Sequence, residues 1–231
     1  MLPSSVAIIP DGNRRFSRKA GVSIQSAYLA GFKKVEEVAG WAGEVGVSSL
    51  SFWALSLENF FKRSKNELSI IFSLFDRKLV EAISDNRFNE EGVRVKFFGK
   101  LDLLPKTLQE RMRLLEKRTQ DNKRIELNIA VAYAGKEELL HAARAIALDV
   151  SLGRISREDI NEESFEKYLY FTRSPDLVIR TGDVQRLSGF MPWQAGYSEL
   201  FFSKKLWPEF QRTDFNEALD YYAGVKRNFG K

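Results

Sequence analysis

Six short apolar runs return along the chain with amphipathic stretches between them: VAII (6–9), LSFWALS (50–56), VRVKFF (93–98), IELNIAV (125–131), DLVIR (176–180) and ELFF (199–202). Several are continuous and not alternating, the pattern of strands covered on both faces. Between them, apolar residues repeat at threes and fours. Residues 29–45 put Phe32, Val35, Val38, Ala39, Ala42 and Val45 on one stripe ahead of Gly46, which supplies a stop. Residues 64–86 do the same with Leu68, Ile71, Phe72, Phe75, Leu79 and Ile83. The spacing predicts a charged helix from Pro105 to about residue 120, another after Gly135, a short one around Asn161 and Ser164, and a last over 214–227. Strand, crossover and strand in this order predict a single α/β domain, a mostly parallel six-stranded sheet flanked by helices. No repeat, low-complexity tract or long linker divides residues 1–231.

Composition removes several chemistries. The chain has no cysteine and one histidine, His141, so thiolate catalysis, disulfides and a multi-histidine zinc site are excluded. A divalent metal would have to be a hard ion held by carboxylates and substrate phosphates. Apolar residues at 44% and charged residues at 29% argue against disorder. No basic leader or membrane-length apolar run is present, and the expectation is a soluble, cytoplasmic protein. A formal charge of +5 fits nucleic acid, an anionic membrane or phosphorylated small molecules.

In open parallel sheets, ligands gather beyond the carboxyl ends of the strands. Three of those ends are followed by PDGNRRF, LENFFKRS and TGDVQRLSGF. Asp11 at a strand end could hold Mg²⁺ with substrate phosphates completing the shell. Gly12 and Asn13 could offer backbone N–H groups at a helix start, and Arg14 and Arg15 fixed positive charge. The plainer alternative is an Asx-turn, a helix cap and two solvated arginines. Arg180, Arg186 and Ser188 could surround a second diphosphate, or Arg180 could pair with Asp183. Glu199 before LFF needs a partner, a metal or solvent. Ser56, Glu58 and Asn59 either contact substrate or cap the following helix. Aromatic residues between 50 and 75 are mostly core, yet a helix placing them against a sheet could also line an elongated apolar cavity, suited to a phosphorylated lipid.

The segments DGNRR, ALSLENF, LNIAVAYAGKEEL, SPDLVIRTGDVQRLSGFMPWQAGYSELFF and VKRNFG resemble the cis-prenyltransferases, the undecaprenyl/polyprenyl diphosphate synthase family, over nearly the whole chain. ENFFKRS looks archaeal in form. The resemblance implies cis elongation of an allylic prenyl diphosphate by isopentenyl diphosphate, release of pyrophosphate and a need for Mg²⁺. It also implies a homodimer or heteromer, an apolar tunnel, and transient association with a membrane surface through the lipid product. Carried over by motif, Asp11 handles Mg²⁺ and the allylic leaving group. Gly12, Asn13, Arg14 and Arg15 cradle the allylic diphosphate, and Asn13 assists proton removal. Ser56 and Asn59 support the leaving-group and proton steps. Arg180, Arg186 and Ser188 bind isopentenyl diphosphate, and Glu199 joins Asp11 as a metal residue. Arg227 and Gly230 belong to a tail that completes a partner's site.

Some positions depart from the family pattern. Ile24 and Tyr28 stand where an arginine and a histidine are common, Ser5 replaces a frequent histidine, Arg14 replaces a glycine, and Asp183-Val184 replaces glycine-glutamate. An extra residue in ENFFKRS leaves Lys62 and Arg63 both open as the basic contact. Three activities therefore stay open: chain elongation, a specialised single-condensation or short-product synthase, and a non-catalytic partner subunit of a heteromeric enzyme. Nucleic-acid binding is disfavoured, because the basic groups at the rim are interleaved with carboxylates.

Overall fold

The computed structural model describes residues 1–225. The six strands are β1 (Ser5–Ile9), β2 (Ser49–Ser56), β3 (Val93–Phe98), β4 (Ile125–Tyr133), β5 (Leu177–Arg180) and β6 (Glu199–Phe202). They form one sheet in the order β3-β4-β2-β1-β5-β6, and every pairing is parallel. All residues of β1 and β5 are buried, as continuous apolar runs require when both faces are covered.

The helices are α1 (Asn13–Ala20), α2 (Ile24–Glu44), α3 (Leu57–Lys62), α4 (Lys65–Ser84), α5 (Arg87–Glu90), α6 (Lys106–Thr119), α7 (Gly135–Ser151), α8 (Glu162–Glu166) and α9 (Arg212–Gly224). The larger core joins α2, α4, α6 and α9 to one face of the sheet through Val38, Phe75, Leu79, Met112 and Phe215. The opposite face carries a smaller cluster around Tyr133, Phe171, Phe190 and Met191. At the β3 edge, Thr119 Oγ1 and Glu116 Oε1 accept the Val95 and Phe97 N–H groups at 3.0 and 2.8 Å, which removes two donors from an exposed strand edge.

The helix limits moved where capping outranked apolar periodicity. α2 begins at Ile24 and not near 29, because Ser23 accepts the Ser26 N–H and supplies an N-cap that the polar first turn conceals. α9 starts at Arg212 because Gln211 and Asp214 form a reciprocal cap. α1 buries none of its residues and α3 is six residues long, so neither carries a stripe to read.

The strand order places the site. The crossover from β1 runs to β2 on one side, whereas β5 passes to β6 on the other, so the order reverses between neighbours β1 and β5. A crevice opens beyond the carboxyl ends at such a reversal. The loops leaving β1 and β5 carry Asp11–Arg15 and Arg180–Ser188 into it.

Candidate active site

Asp11 and Arg180 meet at this crevice. Arg180 Nη2 lies 2.9 Å from Asp11 Oδ2, while Arg15 Nη2 is 3.1 Å from Oδ1. The Arg180 side chain is 6% exposed, and its partner is thus Asp11 and not Asp183. Its Nη1 donates to Ser188 Oγ at 2.8 Å and to the Arg186 carbonyl at 2.6 Å. Arg186 Nε donates to the same Ser188 hydroxyl at 3.2 Å. Ser188 sits at φ 53, a left-handed conformation that costs a side-chain-bearing residue ~1–2 kcal/mol. Two arginines and a hydroxyl are held together by that turn, and the buried Arg180 Nε has no hydrogen-bond partner in the protein.

On the β1 side, Gly12 at φ 122 starts α1 without a side-chain cap, and the first turn has no acidic residue. The free N–H groups there favour an anion. Gly31 on α2 allows the close approach: a Cβ there would overlap Asn13 Oδ1, which is buried and lacks a hydrogen-bond partner. Ser56 does cap α3, accepting the Asn59 N–H at 3.0 Å. Capping and cavity-facing are compatible, because both residues also line the crevice.

The crevice is a cavity of about 590 Å³ lined by Asp11–Arg15, Ser56, Asn59, Arg63, Arg180 and Ser188. A second cavity of about 400 Å³ lies between α2, α4 and the sheet, with Ala39, Phe52, Phe75, Leu79, Leu127 and Ile129 in its walls. Pro10, Phe32, Val35 and Ala54 line both. A polar, cationic chamber therefore adjoins an apolar one, matching an anionic headgroup and a hydrocarbon tail. The two residues left open as the basic contact, Lys62 and Arg63, differ in exposure. Lys62 is 74% exposed and pairs with Glu58, whereas Arg63 is 14% exposed and lines the cavity.

Residues 9–230 match the family model described as "Putative undecaprenyl diphosphate synthase". The chain belongs to this family. A tritrans,polycis-undecaprenyl-diphosphate synthase (geranylgeranyl-diphosphate specific) of Archaeoglobus fulgidus is 43% identical over 221 residues, 94% of this chain and 88% of that protein. The enzyme of the same description from Pyrococcus furiosus is 42% identical over 233 residues, covering 100% and 88%. Among solved structures, lavandulyl diphosphate synthase from Lavandula x intermedia, in complex with dimethylallyl diphosphate, superposes with a TM-score of 0.94 at 34% identity, over 100% of this chain and 99% of that one.

In this member of the undecaprenyl diphosphate synthase family, one chain does not bring the two expected metal residues, Asp11 and Glu199, together. Glu199 opens β6 and is in register with Leu177, itself level with Val6, whereas Asp11 follows the far end of β1. The two carboxylates therefore stand at opposite ends of the sheet, since parallel strands entered at the same edge cannot bring a first residue to the carboxyl rim. Among the described residues no cluster of three acidic or histidine side chains could hold a metal. Arg227 and Gly230 lie outside the described residues.

Sequence reasoning passed over Glu67. It sits in the first turn of α4, and its Oε1 accepts the Tyr28 hydroxyl at 2.5 Å. Burial, the leading cause, pushes the Tyr28 hydroxyl well above the usual tyrosine range; Arg63 opposes that rise and Glu67 adds to it. Tyr28 thus keeps its proton and donates. The available signal was the Ser64–Glu67 capping pattern, which accounts for the Glu67 backbone N–H but not for the aim of its carboxylate.

Proposed function

We propose that this chain elongates an allylic prenyl diphosphate with isopentenyl diphosphate, forming a cis double bond and releasing pyrophosphate. The observation that carries the reading is the junction itself: two groups of basic and polar residues meet at Asp11–Arg180, and the chamber that Asp11–Arg15, Arg180 and Ser188 line adjoins an apolar cavity through Ala54, Phe32 and Val35.

The uncapped start of α1 with Arg14 and Arg15 takes the allylic diphosphate. Arg180, Arg186 and Ser188 take isopentenyl diphosphate, consistent with the unpartnered Arg180 Nε. Breaking the allylic C–O bond leaves positive charge on carbon and negative charge on diphosphate, and fixed guanidinium groups stabilise the latter without reorganising. The acceptor double bond then forms the C–C bond, and the condensation product loses a proton to a diphosphate oxygen. Asn13 and Asn59, both lining the chamber, orient these groups. Holding both reactants in place is worth ~7–11 kcal/mol when the geometry is good.

Asp11 fits a hard ion of the Mg²⁺ type, because its side chain is 32% exposed at the chamber and one carboxylate plus diphosphate oxygens is a usual magnesium set. When bound, the ion would neutralise charge on the leaving diphosphate. Glu199 can join such a set only from a second copy. The outer face of α7 and the residue after it, with Leu140, Leu148 and Leu152 more than half exposed, is the surface on which we place association of two copies. Among the described residues no helix is long and apolar enough to cross a membrane, so contact with a bilayer would come through the lipid product.

The test is a radiometric assay with labelled isopentenyl diphosphate and Mg²⁺, using C5, C15 and C20 allylic primers; the C5 primer is included because the lavender enzyme holds dimethylallyl diphosphate. Long cis products are expected. One short product would replace elongation by a single condensation, and no incorporation with any primer would overturn the reading.

A further inference from the structure

Beside the chamber, Tyr28 on α2 and Glu67 on α4 meet two of its arginines in a charge cluster, and the proposed reaction gives no role to Tyr28 or Glu67. Glu67 Oε1 accepts the Tyr28 hydroxyl at 2.5 Å and faces Arg63 Nε at 3.5 Å and Arg14 Nε at 3.9 Å. Three side chains thus converge on one carboxylate oxygen. Only the tyrosine is at hydrogen-bond distance with proper geometry, because Arg63 Nε is buried and unpartnered. The Arg63 guanidinium also lies over the Tyr28 ring at 5.4 Å. Glu67 and Arg63 are 16% and 14% exposed, and Arg14, Tyr28 and Arg63 all line the chamber.

We propose that Glu67 is an internal counter-anion that competes with bound diphosphate for Arg14 and Arg63, and that the Tyr28 hydroxyl weakens this competition by occupying the shared oxygen. The inference rests on the diphosphate reading above. Two guanidinium groups facing one chamber repel each other, and a nearby carboxylate offsets that repulsion when no ligand is present. A diphosphate must then draw both arginines away from Glu67. A hydroxyl proton donated to Oε1 lowers the carboxylate's attraction for the arginines without adding charge, and the buried Tyr28 keeps that proton. Tyr28 stands where the family pattern commonly has a histidine; here it acts through Glu67 and is a positioning residue.

The two substitutions have opposite signs. Glu67→Gln removes the competitor, so inorganic pyrophosphate, titrated calorimetrically into the full chain in Mg²⁺ buffer, is expected to bind roughly five- to tenfold more tightly, within the usual range of coupling between sites. Tyr28→Phe frees Glu67 to hold the arginines and is expected to weaken binding roughly threefold to tenfold. The double variant should match Glu67→Gln alone, because Tyr28 works only through Glu67. Side chains that merely hold the wall together would weaken binding in both single variants. Glu67→Ala repeats the loss of charge should the glutamine variant fold poorly. Wild-type binding with same-sign or unaltered variants overturns the competition alone. Wild-type chain that binds no pyrophosphate overturns the diphosphate site and the competition with it.

Discussion

Replacing Asp11 by asparagine separates the stability of the site from its catalysis. The carboxylate is the charge partner of Arg180, whose side chain is 6% exposed and would keep only neutral acceptors, Ser188 Oγ and the Arg186 carbonyl. Removing one member of a fully buried pair costs ~3–5 kcal/mol. Asp11 is 32% exposed and water reaches it, so a loss of about 1.5–3 kcal/mol is expected. For a chain of this size each kcal/mol lowers Tm by ~2–4 °C, giving a fall of roughly 3–12 °C by calorimetry. Saturating pyrophosphate should return more of that loss in the variant than it adds to the wild type, because the ligand supplies the missing negative charge. Turnover in the radiometric assay should fall by at least ~10²-fold, the usual effect of deleting one strong transition-state contact. Turnover within about threefold of wild type, with an unchanged Tm, would refute the assignment of Asp11 as the hinge between the two anion sites.

Three further perturbations test other parts of the site. Arg63→Gln should raise the KM for allylic diphosphate by roughly tenfold, the value of one charge-assisted hydrogen bond, whereas Lys62→Gln should change it by less than about twofold, since that side chain points to water; equal effects would return the basic contact to ambiguity. Ala54→Phe fills the junction between the polar and apolar cavities and should shorten products on thin-layer chromatography, and unchanged product length would place the growing chain elsewhere. Burial raises the Glu138 carboxyl above its usual 4.5, against hydrogen bonds from Tyr133, Gln194 and the Phe171 and Tyr170 N–H groups. The folded chain therefore binds this proton more tightly, so the contribution is full below pH 4.5 and is lost as pH rises through the folded value. Urea midpoints should consequently fall less between pH 5 and pH 8 for Glu138→Gln than for wild type, and parallel profiles would exclude Glu138 as the source.

Strands were the most legible part of the fold. VAII and LVIR lie on neighbouring central strands, Ile9 beside Arg180, and burial on both faces leaves few alternatives to an unbroken apolar run. Loop chemistry was legible by type but not by partner. Arg180 at the end of an apolar strand announces a buried cation, yet its choice of Asp11 over the nearer Asp183 depends on two loops 170 residues apart meeting at one crevice, as the Thr181 Oγ1 bond to the Asp11 carbonyl shows. The distance of Glu199 from Asp11 was hidden for the complementary reason. Its type suits a metal, but as the first residue of β6 it stands at the end of the parallel sheet opposite Asp11 of the same chain. Tyr28 read as a missing contact, and became intelligible only when α4 brought Glu67 against it.

The amino-acid order alone determined the alternation of buried strand and amphipathic helix, the α/β layer plan and the polar loops that follow β1, β2 and β5, because apolar period and glycine or cap residues act over a few neighbours. The tertiary structure decided which carboxylate neutralises which arginine, which cavity adjoins which, and whether Lys62 or Arg63 faces inward. Those outcomes depend on distances between residues remote in sequence, and Coulomb energy and burial are functions of such distances, not of order along the chain.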